Sequence, residues 1–339
     1  MKRLKFTIGI LVFVLILSML SGCKGDLDKG KVNDTSPDIE DADVVEEYGI
    51  SIAKDTVSFV DGRGEEVTIA KHPKRVIVLF NSLLDIWMRN GGDIVGRIEE
   101  SVGQDPIPGI EDAELVGKLG TFSLEKIIAL NPDLVILMST QKSQMELVPS
   151  FEQNNIPYMA LEYHVKEDYF KLARLFSALN DREDLYKENV LDVRNKIDEI
   201  IEKAPKDKEY KALLMMASAK SVTARDSGST VGQMLKDLNV KNIADDSNDA
   251  LSAKNFSIEK ILEEDPDFIF VQTTGSDMDK VIERMKEDVE SNPAWSTLSA
   301  VKEDRYIILP KDLYMFKPNH RYAEAYEGLA KILYPEIFE

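Results

Sequence analysis

The side chains best suited to binding a ligand lie in short polar segments that directly follow apolar runs of the chain. Cationic side chains at such positions can neutralise an anionic ligand, and aromatic ones can stack on a planar ring. In α/β proteins the segments after parallel strands meet at one edge of the sheet, where ligands bind. Each residue alone is equally typical of a solvated loop charge or a packed ring, so the prediction of a binding site rests on their grouping. The candidates are Asn81, Lys118, Lys142, Tyr163, Lys220, Arg225, Tyr314, Phe316 and Lys317.

Motifs for metal binding and catalysis are missing from the sequence. The three histidines, His72, His164 and His320, are scattered and lack the paired spacing of a zinc site. The chain also lacks GxSxG, HExxH, a GxGxxG that follows a strand, and a Walker-type phosphate loop. We therefore predict a binding protein that is not an enzyme and that has no metal or cofactor of its own.

The composition limits the partners of the protein. The 339 residues carry a formal net charge of −19, whereas binding to a phosphate backbone requires a basic face, so nucleic acid is not expected as a partner. A content of 43% hydrophobic and 30% charged residues is typical of a globular protein with room for two packed cores. Against this acidic background, basic residues at strand ends become more informative.

An internal repeat indicates the elements that position these side chains. Residues 122–137 read FSLEKIIALNPDLVIL, and residues 256–271 read FSIEKILEEDPDFIFV. Each copy has a serine before a helical pattern, a Pro-Asp pair after it, and then an apolar run typical of a buried parallel strand. The spacing is too long for solenoid or propeller units, which recur every roughly 20 to 50 residues. It predicts two related α/β lobes with a ligand cleft between them.

A long helical pattern separates the two copies. Residues 165–179 form one predicted helix capped by Asn180, and Asp181 begins a second one that continues to about residue 203, just before Pro205. About 22 helical residues at 1.5 Å each make a rod roughly 30 Å long, enough to cross between lobes. We therefore expect an α/β fold of two Rossmann-like lobes joined by one long rigid α-helix. The expected domains are residues 51–165, 166–204 and 205–339.

The first 50 residues are expected to lie outside the lobes. A basic start and an apolar run at residues 6–20 predict a signal peptide of residues 1–22, because the run is shorter than a membrane span of roughly 20 residues. An uncleaved anchor helix is the alternative. The following segment resembles the lipobox of bacterial lipoproteins, in which Cys23, the only cysteine of the chain, would be acylated on sulfur. Residues 23–50 are acidic and polar, which predicts a flexible tether.

Together these features resemble a known family. The lipobox cysteine, a predicted β-hairpin around residues 61–64, the KRVIV run at residues 74–78, the repeated helices and the interlobe helix are similar to substrate-binding lipoproteins of ABC importers for ferric siderophores, haem or cobalamin. The resemblance covers nearly all of residues 51–339. It implies a monomeric receptor, anchored by lipid on the extracytoplasmic face of the cell membrane, that works with an ABC permease and its ATPase.

The resemblance also implies roles for individual residues. In that family one glutamate on each lobe, at the positions of Glu125 and Glu259, forms salt bridges with permease arginines; alternatively, each only stabilises its own helix. A ferric siderophore brings its own donor atoms and fits the basic residues best. Haem is an alternative, with Tyr163 or His164 as axial ligand, and so are cobalamin and a tethered sensor without a transport role. Because one stiff helix joins the lobes, we expect little closure on binding.

Overall fold

The computed structural model describes residues 45–245 and 257–338. The predicted signal peptide, Cys23 and the first part of the predicted tether lie outside these residues, as does Phe256 at the start of the second repeat copy. Across the described ranges, no helix combines the length and the apolar character that crossing a bilayer requires.

An antiparallel sheet opens the described chain. Its strands are β1 (Val45–Glu47), β2 (Ile50–Ile52), β3 (Thr56–Val60) and β4 (Glu66–Ala70). They pair in sequence order, and the β3–β4 pairing confirms the predicted hairpin. β1 falls inside the segment predicted as a tether. This strand is held by backbone pairing with β2 and by a hydrogen bond from the Tyr186 hydroxyl to the Glu47 carboxylate. Neither contact can be predicted from the acidic composition of the segment.

The N-terminal lobe is built on a second sheet. Its strands are β5 (Val76–Val78), β6 (Gly96–Ile98), β7 (Glu114–Lys118), β8 (Thr121–Phe122), β9 (Leu134–Met138) and β10 (Tyr158–Leu161). Its helices are α1 (Asn81–Arg89), α2 (Leu124–Ala129), α3 (Lys142–Met145), α4 (Val148–Gln153) and α5 (Lys166–Leu179). The strand order is β10-β9-β5-β6-β7-β8, with only β8 antiparallel. The chain leaves β5 on one side and returns at β9 on the other, so the loops after these strands border a crevice.

A continuous helical stretch then leads to the second lobe. It consists of α6 (Glu183–Tyr186), a π-helical turn at Lys187–Leu191 and α7 (Asp192–Lys203). Asn180 ends α5 as predicted. Asp181, however, does not start the next helix: its φ of 51° is left-handed, a conformation that interrupts a right-handed helix and that Asp tolerates better than most residues.

The C-terminal lobe repeats the α/β arrangement. Its strands are β11 (Tyr210–Ala217), β12 (Val222–Ala224), β13 (Val240–Asn242), β14 (Phe268–Thr273) and β15 (Tyr306–Ile308). Its helices are α8 (Thr230–Asp237), α9 (Ile258–Glu264), α10 (Met278–Met285), α11 (Ser299–Lys302), α12 (Lys311–Tyr314) and α13 (Tyr322–Leu333). Shorter turns are the π-helical Lys286–Glu290 and the 3₁₀ segments Pro293–Thr297 and Asn319–Arg321. The order is β12-β11-β14-β15, with β13 also pairing β11 and only β12 antiparallel.

The apolar strands divide their side chains between two layers by simple alternation. In β9, Leu134, Ile136 and Met138 enter a central core, whereas Val135 and Leu137 enter an outer core of the N-terminal lobe. β14 alternates in the same way between the central core and an outer core of the C-terminal lobe. The central core also contains buried residues of α5, α7, α8 and α13. The two lobes therefore share an apolar interface behind the cleft.

The two repeat copies begin their helices in the same way. The Ser123 hydroxyl accepts a 3.3 Å hydrogen bond from the Lys126 amide, and the Ser257 hydroxyl accepts one of 3.3 Å from the Lys260 amide. Each serine is thus the N-cap that its sequence position predicts. The predicted helix and strand duplication is confirmed, since β9 and β14 follow these helices.

The Pro-Asp pairs also serve the same purpose in both lobes. The Asp133 carboxylate accepts the amides of Lys74 and Arg75, at 2.7 and 2.8 Å, just before β5. The Asp267 carboxylate accepts the Lys211 amide, at 2.8 Å, at the start of β11. In each lobe an aspartate before one strand therefore aligns the start of its parallel neighbour.

Candidate functional site

One short segment of the C-terminal lobe separates two pockets of the interlobe cleft. This segment, residues 315–317, follows α12 and is called the divider segment below. Its residues Met315, Phe316 and Lys317 line a pocket on each side. Both pockets lie at the carboxyl ends of parallel strands, where ligands of α/β folds bind.

The pocket on the side of the C-terminal lobe, called the basic pocket, encloses about 240 Å³. Arg225 follows β12, and Ser229 and Thr230 start α8; they surround it together with His164 and Lys317. Gly232 allows α8 to pack against the backbone of the preceding loop, because a Cβ at this position would lie 2.1 Å from the Asp226 carbonyl oxygen.

The pocket on the side of the N-terminal lobe, called the apolar pocket, encloses about 260 Å³. Phe80, Ile98 and Leu119 line it with the apolar part of the divider segment. Asn81 is one of its polar lining residues, and its side-chain amide donates to the Glu99 carbonyl at 3.0 Å. The buried Asn81 Oδ1 accepts no hydrogen bond within the described part of the chain, so it is an acceptor that a ligand N–H or O–H can satisfy.

Lys317 links the two lobes at the floor of the basic pocket. Its ammonium donates to the His164 carbonyl at 2.5 Å and to the Thr230 hydroxyl at 2.7 Å, and it lies 4.8 Å from the centre of the Tyr163 ring. Burial lowers the pKa of Lys317 to about 8, and the nearby charge of Arg225 acts in the same direction, whereas Asp168 opposes it. An anion that approaches a partly buried cation of this kind stabilises its charged form.

Arg225 is the second cation of the basic pocket. Its backbone is fixed by an amide bond to the Leu214 carbonyl at 2.8 Å and by the Asn242 side chain, which donates to the Arg225 carbonyl at 2.8 Å. Its side chain is exposed, and among residues 45–245 and 257–338 its guanidinium has no hydrogen-bonding or ion-pair partner. The backbone is thus held while the charged group stays available to a ligand.

The structure brings only some of the predicted ligand-binding residues together. Asn81, Arg225, Tyr314, Phe316 and Lys317 line the two pockets. The Tyr314 ring is buried, however, and its hydroxyl donates to the Ala325 carbonyl at 2.9 Å. Three predicted lysines are exposed at strand or helix ends and line neither pocket: Lys118, Lys142 and Lys220.

Tyr163 does not face the cleft as the sequence suggests. It is 3% exposed, and its hydroxyl donates to Asn319 Oδ1 at 2.9 Å. Burial raises the pKa of Tyr163 well above its ordinary value, which disfavours the phenolate. The neighbouring His164 is exposed at the basic pocket. The other histidines are elsewhere, His72 paired with Asp181 at 2.7 Å and His320 3.8 Å from Asp85.

Several pocket residues have no counterpart in the sequence prediction. Ser229 and Thr230 precede an amphipathic helical pattern, and the serine N-cap signal before α8 identifies them as a helix start facing the site. Gln272 lies inside an otherwise apolar strand, and its side-chain amide donates to the Tyr314 carbonyl. Ser101 and Gln104 lie in an irregular loop that carries no periodic signal.

A cavity larger than either of these pockets lies outside the cleft. It encloses about 690 Å³ between α7 and α13 and is lined by charges of both signs, among them Lys196, Glu199, Lys203 and Glu327. The cavity contains none of the strand-end residues that form the two pockets of the cleft. The pockets at the divider segment are therefore the candidate ligand site.

Glu125 and Glu259 occupy matching positions on the two lobes. Each is exposed, and each stands two residues after the N-cap serine of its helix. A carboxylate at this position is stabilised by the helix dipole. The geometry thus provides one exposed negative charge on each lobe at equivalent places.

Comparisons with known proteins match most of the chain. A family model described as periplasmic binding protein matches residues 91–313. The uncharacterised ABC transporter substrate-binding lipoprotein YvrC of Bacillus subtilis is 25% identical over 290 residues, which cover 84% of this chain and 87% of YvrC. The Fe(3+)-citrate-binding protein YfmC of the same organism is 26% identical over 273 residues, covering 78% of this chain and 81% of YfmC.

The crystal structure of the petrobactin-binding protein YclQ of Bacillus subtilis superimposes with a TM-score of 0.64. The match covers 84% of this chain and all of that chain at 21% sequence identity. At this identity the match shows the fold alone. The predicted α/β architecture of two lobes is confirmed.

Proposed function

The chain belongs to the periplasmic binding protein family, and we propose that it is the extracytoplasmic substrate-binding component of an ABC importer that captures an iron chelate. The observation that carries the proposal is the basic pocket: Arg225 and Lys317 face the cleft of a chain whose net charge is −19. Within residues 45–245 and 257–338 neither cation is bonded to a carboxylate, which suits an anionic cargo. A ferric siderophore is the cargo that we favour.

The relatives support the same assignment. YvrC is named as a substrate-binding lipoprotein of an ABC transporter and YfmC as a binding protein for ferric citrate, an anionic iron chelate. We propose that this protein too is held on the outer face of the cytoplasmic membrane, by acylation of Cys23. Its permease would contact Glu125 and Glu259, and the ATPase of the importer would drive release of the cargo.

The haem alternative receives less support from the described geometry. An axial Tyr163 would have to give up its hydrogen bond to Asn319 and leave the core. His164 is better placed, since it is exposed at the basic pocket. Haem binding through His164 therefore stays the second candidate.

The assignment is tested by titrating the protein with ferric catecholate, ferric hydroxamate, ferric citrate, haemin and cobalamin. The fluorescence of Trp87 and Trp295 reports binding, because coloured cargo quenches both by energy transfer. We expect saturable quenching by at least one ferric chelate with its charge-transfer band unchanged. A Soret shift with haemin that is lost in His164→Ala would instead assign haem, and a lack of saturation by all probes would contradict an iron-chelate receptor.

A further inference from the structure

The two pockets differ in chemistry, and this difference defines the cargo more closely. We propose that the cargo is a ferric chelate with both an anionic group and an aromatic or aliphatic part. It binds across the divider segment, with its anionic group against Arg225 and Lys317 and its apolar part in the apolar pocket. This inference rests on the proposed function, since it concerns the same cleft.

The volumes of the pockets favour a cargo that occupies both. Pockets for small molecules enclose roughly 300 to 1,000 Å³. The basic pocket, at about 240 Å³, and the apolar pocket, at about 260 Å³, each fall short of this range. The two together lie within it. Phe316 lines both, so a cargo that crosses the divider segment contacts its ring from either side.

The basic pocket fixes where the anionic group binds. Within the described ranges, Lys317 bonds to a carbonyl and a hydroxyl alone, and the guanidinium of Arg225 has no partner. Asp168, whose charge acts on Lys317, already accepts the amides of His164 and Val165 at 2.7 and 3.1 Å. A cargo carboxylate or catecholate can therefore engage both cations without displacing an internal ion pair.

The lining of the apolar pocket is mostly uncharged. Lys317 is the one charged residue in that lining, and its ammonium already donates to the His164 carbonyl and the Thr230 hydroxyl. The side chains of Phe80, Ile98, Leu119, Met315 and Phe316 carry no charge. Leu119 is 51% exposed, so half of its side chain is open to the pocket and to water in the cargo-free protein. Burial of an apolar part of the cargo against Leu119 removes this surface from water.

Three iron complexes separate the two contributions. The ferric complex of 2,3-dihydroxybenzoate is anionic and aromatic, ferric citrate is anionic without an apolar part, and ferrichrome carries no net charge at its iron centre. We expect the catecholate complex to bind most tightly, ferric citrate more weakly and ferrichrome most weakly, as measured by fluorescence quenching.

Two variants then assign each contribution to its pocket. Arg225→Gln should weaken binding of both anionic complexes by about tenfold or more, while Arg225→Lys retains part of the affinity. Leu119→Gln should weaken the catecholate complex several-fold and leave ferric citrate nearly unchanged. Lys302→Gln and Leu115→Gln are matched controls, because both residues are exposed and lie outside the pockets.

The outcomes distinguish this inference from the proposed function. If ferric complexes bind but ferrichrome binds as tightly as the catecholate, or if both variants weaken all three complexes equally, the divided cleft is wrong while an iron-chelate receptor stands. If no ferric complex binds, the proposed function fails and this inference fails with it. All substituted side chains are exposed, so circular dichroism of the variants should match that of the parent protein.

Discussion

The side-chain amide of Asn319 donates a 2.7 Å hydrogen bond to Asp85 Oδ2, joining the segment after the divider to α1 of the opposite lobe. The same amide also reaches the Ser82 carbonyl at 3.2 Å, and its oxygen accepts the Tyr163 hydroxyl at 2.9 Å. Asp85 continues the network to Arg89, at 2.7 Å. Burial by itself would raise the pKa of Asp85, but the His320 ring, Arg89 and Asn319 hold it below its ordinary value.

Breaking this network should destabilise the protein. Asn319 has a φ of 53°, so Asn319→Gly removes the side chain without the backbone strain that alanine would add. Because Asn319 and Asp85 are both buried and share a bond, a double-mutant cycle of Asn319→Gly and Asp85→Ala should give a coupling free energy of about 0.5 to 3 kcal/mol, measured by urea unfolding. The control cycle pairs Asn319→Gly with Gln153→Ala, a change at an exposed residue of α4, and should be additive. Additivity in the Asp85 cycle would contradict the role of the bond.

Cargo binding should change the shape of the protein little. A central core shared by both lobes, the continuous helix from Glu183 to Lys203 and the Asn319 network all resist large rotations of one lobe against the other. We expect solution scattering curves with and without a bound ferric chelate to superimpose. A clear contraction on binding would show that these connections yield and would argue for hinge closure.

Binding of an anionic chelate should weaken as the pH rises through about 8. The pKa of Lys317 is lowered to about 8, so its ammonium is present below this pH and is lost above it in the cargo-free protein. The charged groups around it are Arg225 and Asp168, with His164 and Tyr163 also in contact. We expect about tenfold weaker binding at about pH 9 than at about pH 7, measured by quenching titrations.

The variant Lys317→Arg separates this effect from the titration of other groups, because its guanidinium stays charged across the range. Its affinity should change much less with pH than that of the parent. The stability of the parent protein should change with pH in the direction opposite to its affinity for the chelate. Since the folded pKa lies below that of the unfolded chain, the unfolded chain binds more protons between about pH 8 and pH 10, and the free energy of unfolding should rise there. An identical pH dependence in both proteins would exclude Lys317 as the titrating group.

Charge reversal at the two equivalent glutamates should abolish transport and spare binding. Glu125→Lys combined with Glu259→Lys removes one exposed carboxylate from each lobe, and neither lines a cleft pocket. We expect uptake of radiolabelled iron into cells to be lost while the affinity for the chelate is unchanged. The control Glu66→Lys with Glu283→Lys makes the same change of charge at other exposed sites. An equal loss of affinity in the first pair would assign these glutamates to the site or the fold.

Regular elements of the fold were predictable because their signals are local. The apolar run that ends the first repeat copy lies in the strand β9, and Ser123 and Ser257 cap their helices as their positions predict. The family resemblance rested on such local signals repeated in the chain. By contrast, the left-handed backbone conformation of Asp181 could not be predicted from the composition of the segment.

The candidate site was only partly predictable because its contacts are distant in the sequence. Tyr163 follows a strand as a cleft residue would, but its hydroxyl partner Asn319 lies in the 3₁₀ turn before α13 of the other lobe. Lys118 ends β7, and Lys220 lies in the turn between β11 and β12, yet both side chains extend into solvent. The periodicity of a strand reveals its two faces, whereas the packing of the opposite lobe decides which strand-end residues reach the ligand.

The divider segment and Asn319 lie within five residues of one another, so the part of the chain that we propose contacts cargo also holds the two lobes together. A graft of residues 315–319 into a relative would therefore transfer cargo preference only if the recipient supplies Ser82 and Asp85 or their equivalents on the other lobe. Without them, the transplanted Asn319 would lack its hydrogen-bond partners, and the recipient would gain the new specificity but lose stability. We expect related proteins that prefer a different cargo to differ at Phe316 or Leu119 and to keep the contacts that hold the lobes together.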